Sequence, residues 1–451
     1  EFALAQANRT PMVYVGANDG MLHGFNGDTG AEVYAFVPNA SIQNGMKQLS
    51  DPEYEHRYFV DGEMAISDVY DTGSERWRTV LVGTMGRGGP GVFALDVTNP
   101  SSVQFLWERT AAEIPALGKN SGRPVIAQVA NGDWRVIFGN GADSTGGNAQ
   151  LVMIGAISGT ATVADTGAGN ANALSAVLAR DTNLDGFADT AYAGDLHGNL
   201  WKFTGLSGTP SATKIFEATD PSTNPQPITA APLAGKDPST GALWVFFGTG
   251  RYLNTGDIDD RQVQSWYGIK DEYSTLTTKD QLVQRRILTE SRQNGLSVRT
   301  VETGSAGELA GLRGWYMDLV SPGANGIRGE RMVVPNRFQG VALIGTTRIP
   351  EALDPCKPTG TGFIMAINPF TGGRLESTFF DVNRDSQFDN EDLSDADGNI
   401  ISGIGFDTGS NNPNFIENEM YASLDDGTTE HLKVQGGNST AGRLSWRELV
   451  N

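Results

Sequence analysis

The chain contains very little cysteine and fewer basic than acidic residues. Cys356 is its single cysteine, so no disulfide can form within the chain, and this thiol is either free or paired outside the sequence. Lys and Arg together number 33 against 53 Asp and Glu, which gives a formal net charge of −20 at pH 7. Such a charge repels nucleic acid and anionic membrane surfaces and favours cations. The composition therefore excludes an internal disulfide framework and argues against a nucleic-acid partner.

Long apolar runs are also missing. No run of about eighteen apolar residues is present, so we expect a chain that does not span a membrane. No signal peptide is visible either. The abrupt start at Glu1 and the end at Asn451 suggest a fragment excised from a longer protein.

The usual signatures of catalytic sites are missing as well. The sequence has no Gly-x-Ser-x-Gly elbow, and the glycine-rich residues 86 to 89 lack the Lys-Ser/Thr of a phosphate loop. His23 occupies the repeat position that Trp201 holds elsewhere, so we interpret it as a strand residue rather than a catalytic base. The spacing of the four histidines does not match the motif of a zinc protease. These histidines are His23, His56, His197 and His431.

Short strands and tight turns, in contrast, are abundant. The chain contains 57 glycines, and one phrase recurs along it: a strand ending in glycine, a turn, a second strand and a second turn. Tyr14-Val15-Gly16 begins the first copy, and Tyr192-Ala193-Gly194 begins a later one. The glycines that end the first strand of each copy are Gly16, Gly83, Gly139, Gly194, Gly248 and Gly345.

These copies predict an all-β fold, a seven-bladed β-propeller with loop insertions that forms a single domain over residues 1–451. One blade cannot bury its apolar face alone, so neighbours stacked around a ring build the core and protect the strand edges. Six blades are visible, and we infer a seventh from residues 400 to 449, where the pattern is faint. A sandwich or barrel would explain the strands but not the recurring phrase.

The segments between the predicted blades are polar and rich in turn-forming residues. We predict that residues 39–57, 205–241 and 271–335 are loops projecting from the ring. Within the last of these, apolar residues fall near helical spacing, which predicts a short helix over residues 278 to 288.

One acidic loop, residues 181 to 189, has the pattern of a calcium site. Ca²⁺ takes six to eight oxygen ligands, so a loop that binds it needs alternate side chains turned inward, a backbone carbonyl and a residue that tolerates a sharp bend. Gly186 stands at the bend, and an EF-hand would require Glu where this chain has Tyr192. We therefore predict a shorter loop between two strands; the alternative is an acidic turn that binds nothing. The predicted ligands are Asp181, Asn183, Asp185, Asp189 and the carbonyl of Phe187.

A second acidic loop, residues 381 to 392, resembles a dockerin-type calcium loop followed by a short helix. Its bend position is Ser386 rather than glycine, which makes the bend costlier. The alternative is a solvated acidic hairpin tip that binds no metal. Residues 395 to 399 show a weaker form of the same acidic pattern, and we interpret them as an ordinary turn. The predicted ligands are Asp381, Asn383, Asp385, Asp389, Asp392 and the carbonyl of Gln387.

Seven segments distributed along the chain form a specific combination. They are residues 14–25, 58–62, 77–83, 94–98, 122–126, 138–141 and 194–203. Together they resemble the C-terminal propeller of the PilY/PilC pilus-tip adhesins of bacterial type IV pili, and the resemblance spans nearly the whole chain.

The resemblance implies a modified, quinoprotein-like seven-bladed propeller that is exported and displayed at the pilus tip or outer cell surface. It also implies a Ca²⁺ cofactor in the first loop that regulates pilus extension against retraction, with roles in adhesion and twitching motility. The implied partners are minor pilins of the pilus machinery and a host-cell or abiotic surface. Some members carry an Arg-Gly-Asp tripeptide for host receptors; here the nearest strings are Arg328-Gly329-Glu330 and Arg87-Gly88-Gly89. The N-terminal adhesive region of full-length members is not recognised in this sequence.

A quinoprotein-like enzyme that binds a quinone cofactor with calcium is the alternative function. The same blade phrase recurs in quinoprotein dehydrogenases, whose cofactor pocket usually uses an adjacent cysteine pair and an aspartate at the axis of the ring. Cys356 has no neighbouring cysteine. We assign no catalytic or quinone-binding residue, and we expect that the chain is not an enzyme.

Overall fold

The computed structural model describes residues 2–120, 122–323, 326–351 and 360–436, and its regular secondary structure is mostly β-strand. Cys356 and residues 437 to 449 of the predicted seventh blade lie outside the described residues. Among the described residues, no helix is long and apolar enough to cross a membrane. The helical segments are α1 (Phe2–Ala5), α2 (Asn39–Gln43) and 3-10 turns at Met46–Ser50, Gly86–Gly88, Thr255–Ile258, Lys279–Gln281, Ala306–Leu309 and Asn390–Asp392.

The chain divides into two compact units, which are described separately. The first contains residues 1–196 and 201–213, and the second contains residues 197–200 and 214–451. A single domain over residues 1–451 stays a prediction.

Four sheets follow one another from the N-terminus, each with its strands in chain order. The first contains β1 (Met12–Gly16), β2 (Leu22–Asn26) and β3 (Glu32–Phe36). The second contains β4 (Met64–Asp71), β5 (Arg76–Thr84), β6 (Gly91–Asp96) and β7 (Gln104–Thr110). The third contains β8 (Val125–Ala130), β9 (Asp133–Gly139), β10 (Gln150–Gly155) and β11 (Ala161–Asp165). The fourth contains β12 (Leu174–Arg180), β13 (Thr190–Asp195), β14 (Asn199–Thr204) and β15 (Ser211–Glu217).

Apolar side chains of the first unit pack between successive sheets. Leu22 of the first sheet belongs to one core cluster with Leu81 and Phe93 of the second. Val82 of the second sheet and Val136 of the third share another cluster. Each sheet thus buries an apolar face against its neighbour, as the repeat pattern predicts.

The second unit contains larger sheets whose strands do not follow chain order. The fifth sheet is formed, in spatial order, by β16 (Leu233–Lys236), β17 (Leu243–Gly248), β18 (Ser265–Lys270), β22 (Gly314–Asp318) and β19 (Val283–Arg285). The sixth is formed by β20 (Ile287–Gln293), β21 (Leu296–Val301), β28 (Ile401–Gly405), β27 (Ile364–Ile367), β24 (Ala342–Thr346) and β23 (Arg337–Gln339). Two small sheets pair β25 (Ile349–Pro350) with β26 (Gly360–Thr361), and join β29 (Asn414–Ile416), β30 (Glu419–Ser423) and β31 (Thr429–Lys433). The described residues form eight sheets of unequal size, and a count of seven blades is not confirmed.

The strand of each copy that carries its glycine, here called the repeat strand, packs closely at Gly139 and Gly248. A Cβ added to Gly139 would lie 2.0 Å from the carbonyl oxygen of Ser175, and one added to Gly248 would lie 2.3 Å from Cβ of Met332. Any side chain at these two positions would force the neighbouring segment away. The repeat strand is the second strand of its sheet in the second, third and fourth sheets, because the strand before it in the chain pairs with it.

The predicted helix over residues 278 to 288 is wrong. Only Lys279–Gln281 forms a 3-10 turn, and the chain then enters β19 and β20. Val283 pairs with Trp315 of β22 in a parallel ladder, so tertiary pairing overrides the local apolar spacing. The prediction of projecting loops over residues 205–241 and 271–335 is also wrong in part, because the first segment supplies β15 and β16 and the second supplies β19 to β22.

Candidate metal centre

The first acidic loop is the tip of a hairpin within the fourth sheet. Arg180 at the end of β12 pairs with Thr190 at the start of β13, so residues 181 to 189 form the whole connection. The prediction of a short loop between two strands is confirmed. The two strands that the loop joins, β12 and β13, belong to the same sheet.

Asp181 organises the first half of this loop. Its Oδ1 accepts hydrogen bonds from the backbone N–H groups of Leu184 at 2.6 Å and Asp185 at 3.2 Å, and its Oδ2 accepts from Gly186 at 2.8 Å. Asn183 Oδ1 accepts from the N–H of Asp185 at 3.0 Å, and Asp185 Oδ1 accepts from Phe187 at 2.9 Å. The predicted side-chain ligands therefore fix the backbone of the loop, and their oxygens retain further lone pairs for a cation.

Asp189 closes the loop. Its carboxylate accepts from the N–H of Thr182 at 3.0 Å, from the Thr182 hydroxyl at 2.7 Å and from the N–H of Asn183 at 3.2 Å. Burial alone would raise the pKa of Asp189, but hydrogen bonds from Thr190 and Thr182 outweigh it and hold this pKa below its ordinary value. The side chain is thus kept ionised. Sequence reasoning missed Thr182, because threonine at that position is not part of the ligand pattern.

Two residues of the loop adopt left-handed backbone conformations, Leu184 with φ +66° and Gly186 with φ +93°. A Cβ added to Gly186 would meet no atom within 4 Å. The glycine is therefore required by its φ angle rather than by lack of space.

Gly186→Ser should destabilise the ordered form of the first loop by about 1 kcal/mol, because a residue with a Cβ is strained in the left-handed region. The expected result is weaker Ca²⁺ binding at this loop alone, measured by calorimetric titration. Ser386→Gly in the second loop is the matched reverse change and should not weaken binding there. Equal affinities of wild type and Gly186→Ser would show that backbone strain at this position does not limit the site.

The second acidic loop reproduces the hydrogen-bond pattern of the first. Asp381 accepts from the N–H groups of Asp385 at 3.0 Å and Ser386 at 2.9 Å. Asn383 Oδ1 accepts from Asp385 at 3.0 Å, and Asp385 Oδ1 accepts from Gln387 at 2.8 Å. The two loops therefore share one backbone design.

The residues with left-handed backbone conformations occupy the same positions in the second loop as in the first. Arg384 and Ser386 adopt left-handed φ angles of +64° and +69°, at the same places in the loop as Leu184 and Gly186. The sequence predicted a costlier bend at Ser386, and the structure places this serine in the strained region.

The two loops differ in the residue that closes them. Asp392 Oδ1 accepts from the N–H groups of Val382 at 2.8 Å and Asn383 at 3.3 Å, which is the role of Asp189 in the first loop. Asp389, also predicted as a ligand, caps the 3-10 turn by accepting from the N–H of Glu391 at 2.8 Å, and its role as a ligand stays a prediction. The acid that closes the second loop therefore comes from the short helical turn behind it.

Two carboxylates of the second loop are deeply buried. Asp381 is 2% exposed and Asp392 is 0% exposed, and among the described residues no basic side chain forms an ion pair with either. Burial, together with the charge of Asp381, raises the pKa of Asp392 above its ordinary value despite its backbone hydrogen bonds. Buried like charges without a counter-charge are costly, and a bound cation would remove that cost.

The donor set of both loops is chemically suited to calcium. Every predicted ligand is a carboxylate, amide or carbonyl oxygen, which hard cations prefer over nitrogen or sulfur. In the described part of the chain, no group of three or more His, Cys, Asp or Glu side chains is arranged to hold a metal. Calcium at these loops would therefore depend on amide and backbone oxygens as well as on carboxylates.

The weaker acidic echo at residues 395 to 399 forms a turn between bridge partners Leu393 and Ile400. Asp397 accepts from the Thr300 hydroxyl at 2.7 Å and from the Asn399 amide at 2.8 Å. The interpretation as an ordinary turn agrees with these contacts.

The Arg328-Gly329-Glu330 string is part of a buried ion-pair network. Glu330 is 1% exposed and receives both terminal nitrogens of Arg299, at 2.6 and 2.8 Å. Arg328 donates to Glu290. The tripeptide is therefore used internally and is not presented to a receptor. The buried role of Arg299 was not predicted, because an arginine between Val298 and Thr300 in a strand is expected to face solvent.

Comparisons with known proteins agree with the resemblance seen in the sequence. A family model described as the PilY1 beta-propeller domain matches residues 1–298. A type IV pilus biogenesis factor PilY1 homolog of Xylella fastidiosa is 47% identical over 450 residues, covering 100% of this chain and 36% of that protein. The type IV pilus biogenesis factor PilY1 of Pseudomonas aeruginosa is 33% identical, covering 99% of this chain and 42% of the relative. The chain thus spans about two fifths of the length of these relatives.

A solved structure supports the fold. The crystal structure of the Pseudomonas aeruginosa PilY1 C-terminal domain matches with a TM-score of 0.80 and 29% identity, covering 97% of this chain and 94% of that one. The fold is therefore an all-β propeller of the type found in that domain. The relatives are named as pilus biogenesis factors rather than enzymes, so the quinoprotein alternative is not favoured. By sequence and by structure, the chain belongs to the PilY1 family of type IV pilus biogenesis factors.

Proposed function

We propose that this chain is a calcium-binding propeller module of a type IV pilus-associated protein. In this role it supports pilus biogenesis, the balance of extension against retraction, twitching motility and adhesion. The observation that carries the proposal is the shared design of the two acidic loops, in which the same ligand positions fix the same backbone turns. Family membership supplies the pilus context.

The proposed role of each ion is to order its own loop and the surface that this loop forms. Asp181, Asp185 and Asp189 all lie in one nine-residue hairpin tip, so their charges repel one another without a cation. Calcium would bind Asp181, Asn183, Asp185, Asp189 and the Phe187 carbonyl and neutralise this repulsion. Loaded and empty forms then present different surfaces, and only such a difference lets an ion bias the docking of a partner.

The second loop is proposed as a further calcium site. Its support is the burial of Asp381 and Asp392 without a basic partner among the described residues. The same argument applies there, with the ligands Asp381, Asn383, Asp385, Asp389, Asp392 and the carbonyl of Gln387. Asp389 also holds the helical turn that carries Asp392.

We further propose that the protein is exported and acts at the pilus tip or outer cell surface. Its proposed partners are minor pilins of the pilus machinery and a host-cell or abiotic surface. The net charge of −20 supports a role without nucleic acid. The buried position of Glu330 argues against receptor binding through residues 328 to 330.

The functional test is complementation of a strain that lacks the gene. The whole gene carrying both Asp181→Ala and Asp189→Ala should give normal protein levels but strongly reduced surface pili and twitching. The wild-type gene and Asp28→Ala, which alters an exposed acidic turn outside the loops, should restore both. Full rescue by the double variant would overturn the proposed regulatory role of the first loop.

A further inference from the structure

The second acidic loop lies against β31. The backbone N–H of Asp381 donates to the carbonyl of Lys433 at 3.2 Å, and the N–H of Gln435 donates to the carbonyl of Phe379 at 2.7 Å. Between these two contacts the segments form one antiparallel bridge. The main chain that enters the loop is therefore paired with the end of β31 and the residues that follow it.

Two side chains of the loop also make contact with β31. Arg384 donates to Glu430 at 2.9 Å, and Lys433 donates to the hydroxyl of Ser386 at 2.8 Å. Arg384 and Ser386 are the two residues of this loop that adopt left-handed backbone conformations, with φ +64° and +69°. Both contacts thus depend on a conformation that is strained in a residue with a Cβ.

The first loop lacks side chains that could form such contacts at the same positions. Its left-handed residues are Leu184, which is apolar and 74% exposed, and Gly186, which has no side chain. A glycine in place of Ser386 would adopt the bend with less strain, but it would lose the hydroxyl that Lys433 contacts. The strained bend of the second loop is thus the one that places a side chain against β31.

The opposite edge of the same sheet is held by contacts outside the acidic loop. This sheet has β31 at one edge and β29 at the other. The guanidinium carbon of Arg337 lies 5.0 Å from the centre of the Phe415 ring of β29. The side chain of Gln339 donates to the carbonyl of Glu417 at 2.9 Å. Loss of order in the loop would therefore release β31 and leave β29 anchored.

We propose that calcium bound in the second loop controls whether β31 stays docked. The inference rests on the calcium site proposed above for this loop. With the ion bound, the loop keeps the turns that place Arg384 and Ser386 against β31. Without the ion, repulsion between the ligand carboxylates opens the loop, and the edge of the sheet at β31 separates from it. Because such coupling is reciprocal, the contacts with β31 also strengthen binding of the ion.

Hydrogen exchange of the whole 451-residue chain, with and without Ca²⁺, tests the proposal. The amides of Asp385 and Ser386 report on the loop, since both donate to the carboxylate of Asp381. The amide of Gln435 reports on the junction with β31, since it donates to the carbonyl of Phe379. Calcium should slow exchange at all three amides by at least about tenfold.

The double variant Glu430→Gln with Lys433→Met removes both side-chain contacts and leaves every proposed ligand in place. In calorimetric titration it should bind calcium at the second loop at least about tenfold more weakly, as loss of supporting groups does at metal sites. His431→Gln is the matched control and should leave this affinity unchanged, because His431 lies on the same strand but contacts Glu419 of β30. Ser386→Gly would not serve here, because the strain that it relieves in the bend offsets the contact that it removes.

The outcomes separate this inference from the calcium site on which it rests. Slower exchange at Asp385 and Ser386 with an unchanged Gln435 amide would show a bound ion that does not control β31, and would overturn the inference alone. Unchanged exchange at all three amides would overturn the calcium site of the second loop together with the inference. Wild-type affinity in the double variant would overturn the inference, because the contacts with β31 would then contribute nothing to the site.

Discussion

Asp189→Ala is expected to lower the affinity of the first loop for Ca²⁺ by at least about 100-fold, since loss of a supporting group alone costs 10–100-fold at metal sites. The reason is that Asp189 has two roles. It is a proposed ligand, and it also holds the start of the loop through Thr182 and Asn183. Calorimetric titration should show one fewer ion bound by the variant than by the wild type.

Asp392→Ala is the matched change in the second loop and should remove the other ion while leaving the first site intact. Asp397→Ala is the control, because Asp397 lies in a turn with its own hydrogen-bond partners. It should bind as many ions as the wild type. Equal stoichiometry and affinity in Asp189→Ala and the wild type would contradict the first site, and an unchanged count in Asp392→Ala would make the second loop a plain turn.

Glu330→Ala is expected to have the largest effect on stability, a loss of about 3–5 kcal/mol in the free energy of unfolding. Arg299 is 0% exposed and makes two hydrogen bonds to Glu330, with its guanidinium 3.5 Å from the centre of the Phe363 ring. Removing Glu330 leaves this buried cation with Glu290 as its remaining acid. Urea unfolding followed by tryptophan fluorescence measures the change.

Two controls separate buried charge from charge in general. Asp407→Ala breaks the ion pair with Arg292, in which both side chains are more than half exposed, and should leave unfolding unchanged because solvent screens such pairs. The double variant Arg299→Met with Glu330→Met should recover much of the loss, because it removes both buried charges. A Glu330→Ala protein as stable as wild type would contradict the proposed role of the network.

The β-rich fold was predictable because its signal is repeated. Every copy of the phrase carries a glycine, and at Gly139 and Gly248 the close packing leaves no room for a side chain. A glycine that recurs at one position of a repeat is visible in the sequence. The fifth and sixth sheets were harder to predict. There β19 pairs with β22 and β21 pairs with β28, and no local pattern records which distant strands meet.

The turns of the two candidate loops were predictable, but the residue that closes the second loop was not. Alternating Asp and Asn side chains around a bend are a local pattern, and both loops adopt the predicted turns. Whether Asp389 or Asp392 closes the second loop depends on the 3-10 turn at Asn390–Asp392. The burial of Asp381 depends on the strands packed around it, which spacing in the sequence does not reveal.

The number of calcium ions bound by the wild-type chain is the most direct test of the account. Equilibrium dialysis against buffered Ca²⁺, with metal measured by atomic absorption, gives this number without any assumption about mechanism. The account predicts two ions per chain, one for each acidic loop. A chain that binds no calcium at millimolar free concentration, the upper range of known extracellular modules, would contradict it.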